Sequence, residues 1–258
     1  MLGWATTWVK AALLEVQEYA RLCAAVGVAV VSRPFYYRDL VLQLDQIGLG
    51  SLTVVLLTGL FTGAVLALQS GLTLDQFGAR TVVGRLVSAS MIKELGPVLT
   101  GLMLTSRVGS SIAAELGSMV VADQVNALRA LGTDPVRKLV TPRVLAGTLM
   151  SPVLTVVSDF VGILGGALIA VFQLRVAPSV YWSSVLEGLY PQDPWMGLLK
   201  PFFLGFAIVS ISCHVGLRTS GGTQGVGRAV TNAVVAASVA VLAVDFFLTR
   251  LLITLFYT

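Results

Sequence analysis

Long apolar stretches alternate with short polar ones along this chain, and the apolar stretches have the length of membrane spans. Residues 48–70, GLGSLTVVLLTGLFTGAVLALQS, carry no charge. About 20 apolar residues cross the hydrocarbon core as a helix, so this is a first span. Gly59, Gly63, Ala67 and Gly71 recur every fourth residue along it. Such small-residue spacing lets helix backbones approach closely and predicts a packing face. A polar stretch over 72–81 leads to a second apolar region, 82–106, which holds Lys93, Glu94 and Pro97. The longest polar region follows, 107–143. Inside it, apolar residues at 121, 125, 128 and 131 have helical spacing, and Gly132 and Pro135 end the run. The pattern predicts a loop carrying a short amphipathic helix at about 119–131. Residues 142–174 are mostly apolar, interrupted by Asp159. They would make about 50 Å of helix, so this third span tilts or projects from the bilayer. A polar loop over 175–195 contains YPQDPW. A fourth span, 196–217, has Lys200 near its start. A glycine-rich loop, 218–228, precedes the last span, 230–256, which contains Asp245.

The first 31 residues differ in kind. Residues 4–31 place Lys10, Glu15, Glu18 and Arg21 among alanine, leucine and valine. That is too charged for a signal core or an ordinary span. It suits a helix lying in the membrane interface, with Trp4 and Trp8 as anchors. The expected fold is therefore an all-α membrane protein. An N-terminal interfacial helix precedes five transmembrane helices, and residues 1–258 form one transmembrane domain.

Composition supports lipid as the solvent for much of the surface. Only 12% of residues are charged, about half the share found in soluble domains. The net charge is +4, and its placement sets orientation. With the N-terminus inside, the inner segments hold Lys10, Arg21, Arg33, Arg38, Arg107, Arg129, Arg137, Lys138, Arg143, Arg218 and Arg228. The outer side holds Arg80, Arg85, Arg175 and Arg250. This asymmetry puts the N-terminus in the cytoplasm, the C-terminus outside and the 119–131 helix on the cytoplasmic side. No lysine and arginine run suggests nucleic-acid binding. Cys23 and Cys213 stand apart in separate apolar segments and read as packing residues, and His214 has no ligand partner nearby in sequence.

Enzymatic motifs fail on inspection. In the glycine-rich loop, Gly222 to Gly227 is followed by Arg228-Ala229. A phosphate-binding loop needs Gly-Lys-Ser/Thr there. Asp159 and Asp245 lie in VSDFVG and AVDFFL, without the Gly-x-Gly-Asp pattern of an intramembrane aspartyl protease. What remains are ionisable residues within spans: Lys93, Glu94, Asp159, Lys200 and Asp245. Each costs about 2.5–3.5 kcal/mol on insertion scales, so such groups face partners or a water-filled cavity and mark a polar path. Structural pairing of Asp245 with Arg250, one turn onward, is the competing reading.

The segment KELGPVLTGLMLTSRVGSSIAAELGSMVVADQVNALRALGTDP, residues 93–135, resembles the permease subunit of MCE-type lipid ABC transporters, the MlaE/YrbE family. The matching elements are Glu94-Leu95-Gly96-Pro97, Ser106 to Ser110, Ala114 to Met119, Asp123-Gln124 with Ala127-Leu128, and Gly132 to Pro135. GAVLALQSG, GVGRAVTNAVV and LAVDFFLT match further along. Lys93 stands where members often have arginine, and Asp123 replaces the usual glutamate. The resemblance implies a homodimeric permease in a bacterial inner membrane. It implies a cytoplasmic ATPase dimer and a hexameric MCE substrate-binding protein as partners, with phospholipid or a related lipid as substrate. ATP and magnesium would belong to the ATPase, leaving no cofactor in this chain. Lys93, Glu94, Lys200 and Asp245 would then line the lipid path. Glu115, Asp123, Gln124, Leu128 and Arg129 would belong to a coupling helix seated on the ATPase. The alternatives from other classes are an ion-driven secondary transporter or channel built on Asp159 and Asp245, and a membrane scaffold.

Overall fold

The structure, a computed structural model, describes residues 2–32 and 36–256, with backbone alone for 2–9, 11, 12 and 256. The side chains of Trp4 and Trp8, the expected anchors, lie outside the described residues. The described residues form helices and turns without a strand. Five helical stretches are long and apolar enough to cross a membrane: Tyr37–Asp75, Arg80–Val121, Val136–Phe172, Asp193–Leu217 and Gly222–Leu255. The protein is an all-α, multi-pass membrane protein, as its apolar pattern predicts.

Helix α1 (Leu2–Val31) precedes the spans. It buries Leu22, Val26 and Ala29 and exposes Leu13, Leu14, Val16 and Val28 on other faces. Helix α2 (Tyr37–Asp75) starts well before the charge-free stretch. The second span is a continuous run of α3 (Val83–Ser90), a π-turn at Met91–Leu95, α4 (Gly96–Leu104), a second π-turn at Thr105–Gly109, and α5 (Ser110–Val121). Then come α6 (Gln124–Ala130), a π-turn at Val136–Val140, α7 (Thr141–Phe172), α8 (Pro178–Glu187), α9 (Asp193–Leu217) and α10 (Gly222–Phe256).

The small-residue stripe of α2 packs on α7, its most extensive partner. Gly59, Gly63, Ala67 and Gly71 are all buried. A Cβ at Gly63 would fall onto the backbone of Gly162, and a Cβ at Gly165 onto the carbonyl of Leu60. The two backbones therefore touch directly, and the stripe serves helix packing as its spacing implies.

The last span starts at Gly222, so most of the glycine-rich stretch expected as a loop at 218–228 is helix, and three further boundaries differ from the sequence pattern. The polar region at 107–143 is not one loop, because the second span stays helical to Val121. Ile112, Ala113, Leu116 and Gly117 form a buried stripe on α5, and a Cβ at Gly216 of α9 would meet Ala113 and Leu116. That packing outweighs the local polarity of Arg107 and Glu115. The amphipathic helix expected at 119–131 is broken at Asp123, which adopts φ 56°. Aspartate is among the few residues that tolerate this left-handed region. Only Gln124–Ala130 forms the separate helix, and it ends at Gly132 with φ 75°, where the Thr133 amide folds back to Leu128 O at 3.0 Å. Finally, the polar loop expected at 175–195 contains α8. This helix starts at Pro178, where the fixed ring torsion suits a first turn. It docks through buried Tyr181, whose hydroxyl donates to Ile163 O at 3.0 Å. Ser184 Oγ accepts from the Arg85 amide at 3.0 Å.

Candidate functional site: a charged cluster between three spans

Pro97 explains the irregularity at the centre of span two. An α-helix would donate the amide of residue 97 to the carbonyl of Lys93, and proline has no N–H. The chain widens here into the π-turn Met91–Leu95, a form that recurs at functional sites. The Lys93 carbonyl is taken instead by Lys200 of α9, whose Nζ donates to it at 2.6 Å.

Lys200 is fully buried, and its ammonium is paired on two further sides. Glu94 Oε1 lies at 2.9 Å and Asp245 Oδ1 of α10 at 3.4 Å. Thr249, one helical turn beyond Asp245, donates to Glu94 Oε1 at 3.3 Å. One lysine thus joins span two, α9 and α10. A buried charge is tolerated when it is paired and hydrogen-bonded, and Lys200 meets both conditions. Asp245 pairs with Lys200 and not with Arg250, which makes no ion pair among the described residues.

Lys93 turns the other way. Its Nζ lies 3.1 Å from Asp193 Oδ2 and 5.5 Å from the Tyr190 ring centroid. Asp193 is fully buried at the start of α9 and accepts the Tyr190 amide at 3.0 Å. This draws the YPQDPW segment onto span two. Exposure divides the cluster. The side chains of Lys93 and Glu94 are 26% and 43% exposed, whereas those of Lys200 and Asp193 are 0% and that of Asp245 is 12%. Lys93 and Glu94 therefore present the open face, while the other three hold them in place.

Of the four expected path residues, the structure joins Glu94, Lys200 and Asp245 directly, and Lys93 through its carbonyl. Asp193, Tyr190 and Thr249 complete the cluster and were missed. An aspartate between prolines in PQDP, and a threonine four residues after Asp245, were the available signals. Asp159 is not among the cluster's described ion pairs. It is buried on α7, with Oδ1 where a Gly96 Cβ would stand and without a hydrogen-bond partner. No described contact links it to Asp245, so the two aspartates do not form a dyad.

At the opposite end, Asp123, Gln124 and Arg129 are exposed around α6. Leu128 is half-buried against the core beside buried Val125. Glu115 is half-buried. Its Oε2 pairs with Arg143 at 2.9 Å, and Arg143 also donates to Leu139 O at 2.7 Å. Helix α1 is fastened near this end, with Tyr19 hydrogen-bonded to Ser210 of α9 at 2.8 Å and Arg218 paired with Glu18 at 2.8 Å. Burial pushes the Tyr19 phenol up to about 12, so it stays neutral.

Spanning helices that hold charged side chains between them, with only part of the set accessible, form the kind of polar path found inside membrane proteins. The family model for Permease MlaE matches residues 40–251, and the chain belongs to this family. It is 41% identical over 237 residues to a probable ABC transporter permease protein of Rickettsia bellii, covering 92% of each chain. It is 37% identical over 214 residues to the intermembrane phospholipid transport system permease protein MlaE of Haemophilus influenzae, covering 83% of this chain and 82% of that one. It is 34% identical over 227 residues to TRIGALACTOSYLDIACYLGLYCEROL 1, a chloroplastic protein of Arabidopsis thaliana, covering 88% of this chain and 65% of that one.

Proposed function

We propose that this chain is the membrane-spanning subunit of an ATP-driven transporter that moves phospholipid, or a related lipid, between the inner and outer membranes of a bacterial envelope. The observation that carries the proposal is the cluster itself. A polar patch with two partly accessible charges of opposite sign, Lys93 and Glu94, sits within otherwise apolar spans. A lipid with a charged head group and apolar tails matches that combination. Lys93 attracts the phosphate in competition with Asp193, and Glu94 faces any head-group amine. Lys200 and Asp245 act through Glu94 and through the Lys93 backbone. The phospholipid named for the Haemophilus relative supports the substrate class.

The remaining parts follow the same reading. The excess of lysine and arginine at the α6 end supports a reading with that end and the N-terminus in the cytoplasm and the C-terminus on the periplasmic side of the inner membrane. Helix α6, with exposed Asp123, Gln124 and Arg129, is the contact for a cytoplasmic ATPase dimer. ATP and magnesium bind in that partner. A second copy of this chain packs on the spans, and the exposed face of α10, with Val235, Val239, Leu242 and Phe246, offers apolar surface for it. A hexameric MCE protein receives or delivers lipid on the far side, near α8. Helix α1 lies in the interface. An ion-driven transporter would be favoured by a joined Asp159 and Asp245, and no contact between them is described. Affinity purification of the chain from its native membrane tests the proposal. An ATPase and an MCE protein among the co-purifying chains support it, and a chain that transports lipid alone without an ATPase contradicts it.

A further inference from the structure

A second polar site lies about where spans one and two enter the bilayer at the α6 end. Gln43, Gln46 and Arg107 line a cavity of about 210 Å³ between α2 and the start of α5. That is room for a phosphate group or a handful of waters. Both walls mark the same depth. On α2, Gln46 is the last polar residue before the charge-free stretch at 48–70, and on span two, Arg107 directly follows the apolar region 82–106. Leu42 and Leu49 are exposed beside it on α2. The mouth therefore opens at head-group level beside lipid-facing surface.

The guanidinium in this site lacks an anion. Arg107 Nη1 donates to Ser51 Oγ at 2.8 Å. Among the described residues it makes no ion pair, although a guanidinium carries five N–H donors. It lies flat over Gly50, where a Cβ would come within 2.7 Å of Nη2. The only carboxylate lining the cavity, Glu115, is held by Arg143 at 2.9 Å. Glu115 Oε1 accepts from Gln46 Nε2 at 3.4 Å and from Ser111 Oγ at 3.3 Å, so with Glu115 matched by Arg143 the pocket keeps one net positive charge, on Arg107. Arginine binds phosphate through paired, charge-assisted hydrogen bonds. We infer that this pocket binds the phosphate of a lipid head group in the leaflet on the α6 side, through Arg107 and separately from the mid-span cluster.

The test compares lipid retention by the purified full-length chain, read by native mass spectrometry after exposure to phosphatidylglycerol or to diacylglycerol of the same acyl chains. Phosphatidylglycerol should be retained over diacylglycerol. Arg107→Gln should lower that retention about tenfold, the loss of one charge-assisted contact. Lys93→Ala should leave the Arg107-dependent part unchanged, because the two sites are separate. Gln46→Leu, at an exposed position, repeats the test should Arg107→Gln fail to fold, with a smaller loss expected. Equal retention of the two lipids, or equal retention by wild type and both variants, overturns the inference. Displacement of the lipid by inorganic phosphate at equal concentration also overturns it, and assigns the pocket to free phosphate.

Discussion

Replacing Lys200 with methionine keeps the side chain's length and removes its charge. Three groups lose a partner together: Glu94 at 2.9 Å, Asp245 at 3.4 Å and the Lys93 carbonyl at 2.6 Å. These losses are unequal. Glu94 is 43% exposed, so water screens it and its share is under about 1 kcal/mol. The Lys93 carbonyl contributes about 1 kcal/mol as an ordinary hydrogen bond. Asp245, at 12% exposure, is left as a charge inside the bundle, the situation that costs about 3–5 kcal/mol when a buried pair is broken. The sum for Lys200→Met is therefore about 4–7 kcal/mol, dominated by Asp245. Lys200→Met combined with Asp245→Leu should recover at least about 2 kcal/mol of that loss, since the stranded charge is gone. Unfolding of the purified chain in mixed detergent micelles, titrated with a denaturing detergent, measures Lys200→Met, Asp245→Leu and the double variant. A loss under about 1 kcal/mol for Lys200→Met, or strict additivity in the double variant, would refute the view that one lysine joins three spans.

Other substitutions test separate parts of the fold. Gly63→Ala drives a methyl group into the Gly162 backbone and should lower the melting temperature, whereas Gly27→Ala on α1, with open space around it, should be neutral or stabilising by about 0.5–1 kcal/mol. A similar cost at both positions would contradict the direct α2–α7 backbone contact. Arg129→Glu on α6 should weaken ATPase co-purification or uncouple hydrolysis while leaving thermal stability intact. Glu115→Ala should lower stability as well, because it strands Arg143, which is only 7% exposed. An unchanged melting temperature for Glu115→Ala would remove Glu115 from its structural role.

Much of this organisation was legible in the sequence, because a bilayer imposes length and polarity directly on each span. The five spans and the stripe at Gly59, Gly63, Ala67 and Gly71 follow from local pattern alone. So does the presence of Lys93, Glu94, Lys200 and Asp245 within apolar surroundings. Their connection does not. Lys200 meets a carbonyl 107 positions away, and no local signal encodes which lysine fills the gap left by Pro97. Asp193 looked like a loop residue because prolines flank it, yet those prolines set the helix start that buries it. The run of polar residues after 106 suggested a loop. The helix persists there because its apolar stripe packs on α9, a contact that polarity along the chain does not reveal. The break at Asp123 depends on a left-handed backbone that aspartate permits without announcing.

The most direct test of the proposed transport role is ATP-dependent transfer of a labelled phospholipid by the purified complex in proteoliposomes. Lys93→Ala and Asp245→Ala are each compared with wild type, and subunit assembly is checked by co-purification. Both variants should assemble and transfer lipid more slowly than wild type. Wild-type transfer rates in both would contradict a lipid path through the charged cluster.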